Sequence, residues 1–294
     1  MKRKDEIWRV VITAGGLFII LLTLAIGVFL VYRGIGTFTT YHHSVWEFLF
    51  SSDWNPADDF TGGGQVGAAI FIVGSVCVCF LALLIATPFS LAAAIFMAVI
   101  SPRISAKLFQ PAVEIFVGIP SVVYGWVGVT VLVPFIEKLF HLQVGYSVLA
   151  GGIVLAVMIF PTIASVSADS LRNVPYRYQE AAYGLGSTRW QVIRKVLLPS
   201  AKPGILTGVI LGLSRAFGEA LAVAMVIGKT KAFPDSLLSS TSNLTSAIAS
   251  DMGGAAEGGE FNTALWTMAL LLLLISYVFI MLVRKVSAKG AAEK

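Results

Sequence analysis

Six apolar stretches, at about 10–32, 67–100, 108–136, 146–168, 203–227 and 264–283, decide what this chain of 294 residues can fold into. A helix needs roughly 20 apolar residues to cross about 30 Å of hydrocarbon. Each stretch reaches that length, and the second and third exceed it, so part of each is expected to tilt or protrude. Apolar residues make up 57% of the chain and charged ones 13%, against about 45–50% and about 25% in soluble domains. A soluble helical fold with so few charges would have no polar surface. The expected fold class is therefore an all-α integral membrane protein with six transmembrane helices. The first stretch follows Lys2-Arg3-Lys4 in the manner of a secretory signal. It is too long for a signal core, and Arg33-Gly34-Ile35-Gly36 offers no small-residue cleavage site, so it is expected to stay as a helix.

Lys and Arg fall unevenly, and this sets the expected orientation. With the N-terminus inside, the inner segments hold sixteen of the 21: Lys2, Arg3, Lys4, Arg9, Arg103, Lys107, Arg172, Arg177, Arg189, Arg194, Lys195, Lys202, Arg284, Lys285, Lys289 and Lys294. The outer loops hold Arg33, Lys138, Lys229 and Lys231, and Arg215 lies inside a stretch. Both termini are therefore expected on the cytoplasmic side. The net charge of +5 reflects this sidedness. It gives no reason to expect nucleic-acid binding, because no basic patch forms a domain of its own.

Other chemistry is thin. Cys77 and Cys79 lie in one apolar run and point to different faces of a helix, which makes them packing residues. His42, His43 and His141 lack carboxylates at ligand spacing and read as solvated surface groups. No metal or cofactor is expected. Gly62, Gly64 and Gly67 form a literal G-x-G-x-x-G, but no strand precedes it and a membrane helix follows. A dinucleotide site needs the opposite context, so the segment is expected to be a flexible approach to the second stretch. The outer loops 37–66 and 229–263 are long enough to be more than connectors.

Residues 180–199, between two apolar stretches, read EAAYGLGSTRWQVIRKVLLP. Small side chains at Ala181 and Ala182 let another backbone approach closely. Gly184 and Gly186 permit a turn with φ > 0, Ser187 or Thr188 can cap a second helix from Arg189, and Pro199 is expected to end it. The spacing of Glu180, Ala181, Ala182 and Gly184, then Leu198 and Pro199, resembles the EAA loop of binding-protein-dependent ABC importer permeases.

Within the apolar stretches, proline recurs at 88, 111, 120, 134 and 161. Each removes a backbone hydrogen bond whose carbonyl needs another partner, and broken helices near the midplane build substrate sites in many transporters. Arg215 and Glu219 are four residues apart and are expected on one helical face. Glu114 lies in the third stretch. A charge at the centre of a membrane helix costs about 2.5–3.5 kcal/mol or more, which points to a substrate pathway. An arginine there suits an oxyanion, which it can hold through paired N–H donors. A simpler reading has Arg215 and Glu219 as a buried pair that ties helices together.

Residues 214–228, SRAFGEALAVAMVIG, resemble the SRAxGExxAVxMVxG segment of PstC-type permeases, the inner-membrane subunits of the phosphate-specific ABC importer. Residues 118–125, GIPSVVYG, are similar to the same family's IPSVVYG motif. The likeness covers roughly 67–283 and the added N-terminal helix, and departs at Lys229, where Asn is common. Sulfate and molybdate permeases share the R-x-x-G-E element and the EAA loop but lack these continuations. The resemblance implies a type I ABC importer permease fold in a bacterial or archaeal cytoplasmic membrane. Residues 1–66 would hold the tail, first helix and outer loop, 67–284 the permease domain with its coupling loop at about 175–202, and 285–294 a second tail. It also implies a second, PstA-like permease subunit, a cytoplasmic ATPase dimer and an extracytoplasmic phosphate-binding protein. ATP would close the ATPase dimer and move the EAA loops. The chain itself has no G-x-x-x-x-G-K-[ST] loop and is not expected to be an enzyme. A channel or ATP-independent carrier is the competing class; a carrier would show repeated halves or more spans, and no internal repeat is visible. A membrane enzyme would need more convergent polar groups than Arg215, Glu219 and Glu114.

Overall fold

The computed structural model describes residues 2–292, and side chains over 8–285, so the charges of Lys2, Arg3, Lys4, Lys289 and Lys294 lie outside the described residues. Among the described residues six helices are long and apolar enough to cross a membrane: Trp8–Thr39, Ala69–Ile100, Ser121–Phe140, Val148–Arg172, Arg189–Gly218 and Glu260–Lys285. They are the first to sixth spans below. The chain forms two compact units, Met1–Ala68 with Asp251–Leu271, and Ala69–Ser250 with Leu272–Lys294.

In the first unit, glycine lets the first and last helices approach closely. A Cβ on Gly34 would lie 2.9 Å from Leu270 Cβ, and one on Gly36 would lie 2.7 Å from Thr263 Cγ2. Small residues at such crossings replace the hydrophobic drive that lipid cannot supply. The Thr37 and Thr267 hydroxyls meet there at 2.6 Å. Arg33 pairs with Glu257 at 2.9 Å.

The outer segment 37–66 is not a flexible lead-in. Glu260 is fully buried and accepts from the backbone N–H groups of Ala57 at 2.6 Å and of Gly63 and Gly64 at 3.0 Å. His43 Nε2 meets the same carboxylate at 2.6 Å, and its side chain is only 9% exposed. The expectation of a solvated His43 is thus corrected. Gly62 and Gly63 adopt φ of 75° and 97°, which turns successive N–H groups toward one anion. The G-x-G-x-x-G run does cradle a negative charge, but the charge is the chain's own carboxylate. Beside it, hydrogen bonds from the Thr61 hydroxyl, the Thr61 N–H and the Gly62 N–H outweigh slight burial and hold the Asp59 carboxyl below its usual range.

Glu260→Ala should therefore destabilise this unit by about 3–5 kcal/mol, since it strands three N–H groups and an imidazole without an acceptor. Glu260→Gln keeps one acceptor oxygen and should cost about 1–3 kcal/mol. Thermal unfolding of the purified protein in detergent checks the order; equal melting of wild type and the alanine variant would refute it.

In the second unit the second and fourth spans form the centre. Val78, Cys79, Ala82 and Ala86 pack against Val148, Leu155, Ile159 and Ile163, with Leu213, Ala216 and Phe217 of the fifth span closing the cluster. Both cysteines are free and Cys79 is buried in this core.

Proline is accommodated by a repeated device. The N–H groups of Ser101, Gln110, Val133 and Leu198 donate five residues back, to the carbonyls of Phe96, Ser105, Gly128 and Ile193. Each donor immediately precedes a proline: Pro102, Pro111, Pro134 or Pro199. A proline ring in a regular helix clashes with the carbonyl four residues back. Widening the preceding turn by one residue relieves that clash. Pro199 therefore does not end its helix; it sits in the first turn of Leu198–Gly218, and the fifth span runs unbroken from Arg189.

Two of the expected spans are interrupted. The third stretch is cut after the helix Gln110–Gly118 by Ile119 (φ −69°, ψ 128°) and Pro120, because a residue before proline is driven out of the helical region. Spanning begins only at Ser121. The fifth ends at Gly218; Glu219 is extended (ψ 116°) and the short helix Leu221–Val226 follows. In the segment after Lys229, Leu244–Asp251 forms a helix whose first turn is buried. The Ser75 hydroxyl accepts from Leu244 N at 3.0 Å, and Asn243 Oδ1 caps Ser246 N at 2.9 Å.

Candidate functional site

The segment 175–202 starts at Pro175, whose extended backbone leads into the helix Tyr176–Gly184. No residue of that helix is fully buried. Glu180 and Ala181 are exposed, and Ala182 is half-buried against a cluster that includes Ala94, Met97, Val192, Ile193 and Leu197. Leu198 packs on the same cluster and Pro199 is half-buried beside it. Gly186, with φ 78°, makes the turn; Gly184 does not take φ > 0, which corrects that half of the expectation. Nothing lies within 4 Å of a Cβ placed on Gly184. Thr188 then opens the next helix with a capping box: its N–H donates to Gln191 Oε1 at 2.8 Å while its hydroxyl accepts from Gln191 N. The loop leaves Tyr176, Tyr183, Leu185 and Trp190 exposed, Leu185 by 88%. The same loop carries the basic residues Arg177, Arg189, Arg194 and Lys195.

Arg215 lies in the last turn of the fifth span, seventeen residues beyond Leu198, or about 25 Å along the helix at 1.5 Å per residue. It is half-buried and its Nη1 reaches Thr162 Oγ1 at 3.4 Å. The guanidinium is also within electrostatic reach of the Tyr124 hydroxyl, which donates to Phe116 O at 2.8 Å. Residues 118–125 and 214–228 are thereby brought together. The approach is close because Gly125 faces Ala222 and Met225: a Cβ there would lie 2.7 Å from Met225 Sδ.

Glu219 does not share a helical face with Arg215, since the helix stops between them. Its carboxylate accepts from Ala222 N at 3.1 Å and so caps the following helix, which Ala220 cannot do. Its carbonyl accepts from the Thr245 hydroxyl at 2.9 Å. Among the described residues neither Arg215 nor Glu219 belongs to an ion pair, so the tying salt bridge is absent. Glu114 stands apart. It is exposed and lines a cavity of about 190 Å3 with Gln110, Asp169 and Arg172, at the end of the unit that carries the 175–202 loop.

A larger cavity of about 610 Å3 opens beyond Arg215, lined by Val122, Val129, Tyr146, Leu221, Met225 and Lys229, among others. Lys229 adopts φ 59°, a conformation that Asn tolerates better than Lys. Sequence reading missed Thr162 and Thr245, and named Tyr124 only as part of the 118–125 motif, whereas Gly186 was expected at the turn. Gly186 carried a signal in its place after the helix; the hydroxyls carried none, because Ser and Thr are ordinary in membrane helices.

Residues 90–289 match the family described as binding-protein-dependent transport system inner membrane component. The chain is 47% identical over 289 residues to the probable ABC transporter permease protein YqgH of Bacillus subtilis (strain 168), covering 98% of this chain and 93% of that protein. It is 37% identical over 289 residues to the phosphate transport system permease protein PstC of Pasteurella multocida (strain Pm70), covering 91% and 87%. Among solved structures, a chain of a bacterial alginate ABC transporter, crystallised with its alginate-bound periplasmic protein, superposes with a TM-score of 0.61 over 93% of this chain and 94% of that one, at 17% identity. Six membrane helices, a broken third and fifth stretch, a protruding loop between the fourth and fifth spans and these matches converge: the chain belongs to the family of binding-protein-dependent transport system inner membrane components and has the fold of an ABC importer permease.

Proposed function

We propose that the chain is a membrane-spanning permease subunit of an importer that carries inorganic phosphate across the cytoplasmic membrane. The observation that carries this reading is Arg215: a half-buried guanidinium at a helix break, with no carboxylate paired to it among the described residues, is a site for an oxyanion. The likeness to proteins named as phosphate transport permeases supports phosphate over other oxyanions. Residues 67–284 would form the transporting domain, between 1–66 and the tail 285–294. The unequal placement of Lys and Arg supports cytoplasmic termini and a cytoplasmic 175–202 loop. A PstA-like second permease would complete the pathway, an ATPase dimer would seat the loop, and an extracytoplasmic phosphate-binding protein would deliver the ion. ATP binding and hydrolysis in the partner would alternate the pathway between its two faces.

Reconstitution of the assembled complex in proteoliposomes tests this. ATP hydrolysis and uptake should rise with phosphate-loaded binding protein and not with sulfate or molybdate. Uptake without ATP would instead favour a carrier, and stimulation by sulfate or molybdate would reassign the substrate.

A further inference from the structure

The second span ends without donors for its last carbonyls. Ser101 N–H turns back to Phe96 O, and the next residue, Pro102, has no N–H. Helix C-termini leave such carbonyls exposed with partial negative charge, and a cation there is favourable. Arg189 supplies it. Its Nη2 donates to Val99 O at 2.6 Å and to Ile100 O at 2.9 Å. Arg189 is the first residue after the Thr188 cap, so the guanidinium projects from the start of the helix that becomes the fifth span. Below it, Val192, Ile193 and Leu197 pack against Ala94 and Met97 of the second span, with Ala182 joining them. The second span in turn packs along the fourth through Val78, Ala82 and Ala86.

We infer that Arg189 is a positioning residue that couples the 175–202 loop to the second span, so that displacement of the loop is passed to the centre of the bundle. The apolar cluster alone would allow the loop to slide, since dispersion contacts have little directionality. Two charge-assisted hydrogen bonds to adjacent carbonyls fix register as well as distance. This rests on the reading of 175–202 as the loop that receives work from an ATPase partner.

The test compares the assembled complex, in proteoliposomes, as wild type, Arg189→Gln, Arg189→Lys and Glu180→Lys, reading phosphate taken up per ATP hydrolysed. Loss of charge-assisted hydrogen bonds worth about 1.5–3 kcal/mol should lower that ratio roughly tenfold or more in Arg189→Gln. Arg189→Lys keeps a cation near the carbonyls and should recover part of it. A purely structural role predicts that uptake and hydrolysis fall together with complex yield at an unchanged ratio, and that result would overturn the inference. Glu180→Lys separates the two levels: normal coupling there refutes the loop's role, whereas normal coupling in Arg189→Gln alone refutes only the link. Should Arg189→Gln not assemble, spin labels at positions 103 and 186 of otherwise intact complex decide. Their separation should stay constant between nucleotide-free and ATP-bound states, and a change would refute a rigid link.

Discussion

Replacing Arg215 by glutamine should abolish phosphate uptake while the complex still assembles. The guanidinium makes one long hydrogen bond, to Thr162 at 3.4 Å, and no ion pair among the described residues. Its removal breaks little inside the chain. A glutamine can still reach toward Thr162, so folding should change by no more than about 1 kcal/mol. What is lost is the charge and the planar pair of donors that a tetrahedral oxyanion needs, and uptake should fall by roughly a hundredfold or more, as befits loss of a charge-assisted contact at a half-buried group. Glu219 is expected to behave differently. Because its carboxylate caps Ala222 N, Glu219→Gln retains an acceptor and should reduce uptake much less than Arg215→Gln, while Glu219→Ala should also cost about 1 kcal/mol of stability. Uptake and complex yield, measured side by side on the three variants, check this ordering. If the two residues merely tied helices together, Arg215→Gln and Glu219→Gln would both lose complex, and the double neutral variant would restore it. Full transport by an assembled Arg215→Gln complex would end the proposal.

Glu180→Lys and Gly184→Val should each leave the chain inserted and folded, yet uncouple ATP hydrolysis from uptake. The Glu180 side chain is exposed with no hydrogen bond or ion pair among the described residues, and a Cβ at 184 meets nothing within 4 Å. Neither change has a reason to disturb this subunit, so any defect reports on a partner surface. A reversed charge and a branched side chain on a small-residue face would both keep a cleft from closing over it. Gly186→Val is the contrasting variant. It strains a backbone at φ 78°, at about 1–2 kcal/mol, and should deform the turn itself. Uptake at the wild-type rate by Glu180→Lys or Gly184→Val, at equal membrane abundance, would remove the coupling role.

How legible this was in the sequence differs from element to element. The stretches 67–100 and 146–168 read as spans, and the helices lie at 69–100 and 148–172, because nothing inside them competes with the helix; even Pro88 and Pro161 are carried within it. A local cause for the break at Pro120 was legible, because proline acts on its own neighbour, although the apolar run 108–136 still reads as one span. The break at Glu219 was not. It contains no proline, and it is held by a carboxylate folding forward onto Ala222 and by a hydroxyl arriving from Thr245, twenty-six residues away. Pro199 misled for a related reason. Its local rule is to stop a helix, but the widened turn before it removes the clash, and the packed cluster around Ile193 and Leu197 favours continuing.

Sequence by itself determined the solvent of this protein, the number of its spans and the positions of the motifs at 118–125, 180–199 and 214–228. Those follow from transfer energies and local backbone sterics, which act over a few residues. Only the tertiary structure decided which polar groups meet. It gave Glu260 to His43 and the glycine turn, gave Arg189 to the end of the second span, and left Arg215 without a paired carboxylate among the described residues. Partner choice among polar groups rests on distances set by packing between residues far apart in the chain, and a membrane interior, which supplies no water in their place, makes that choice decisive.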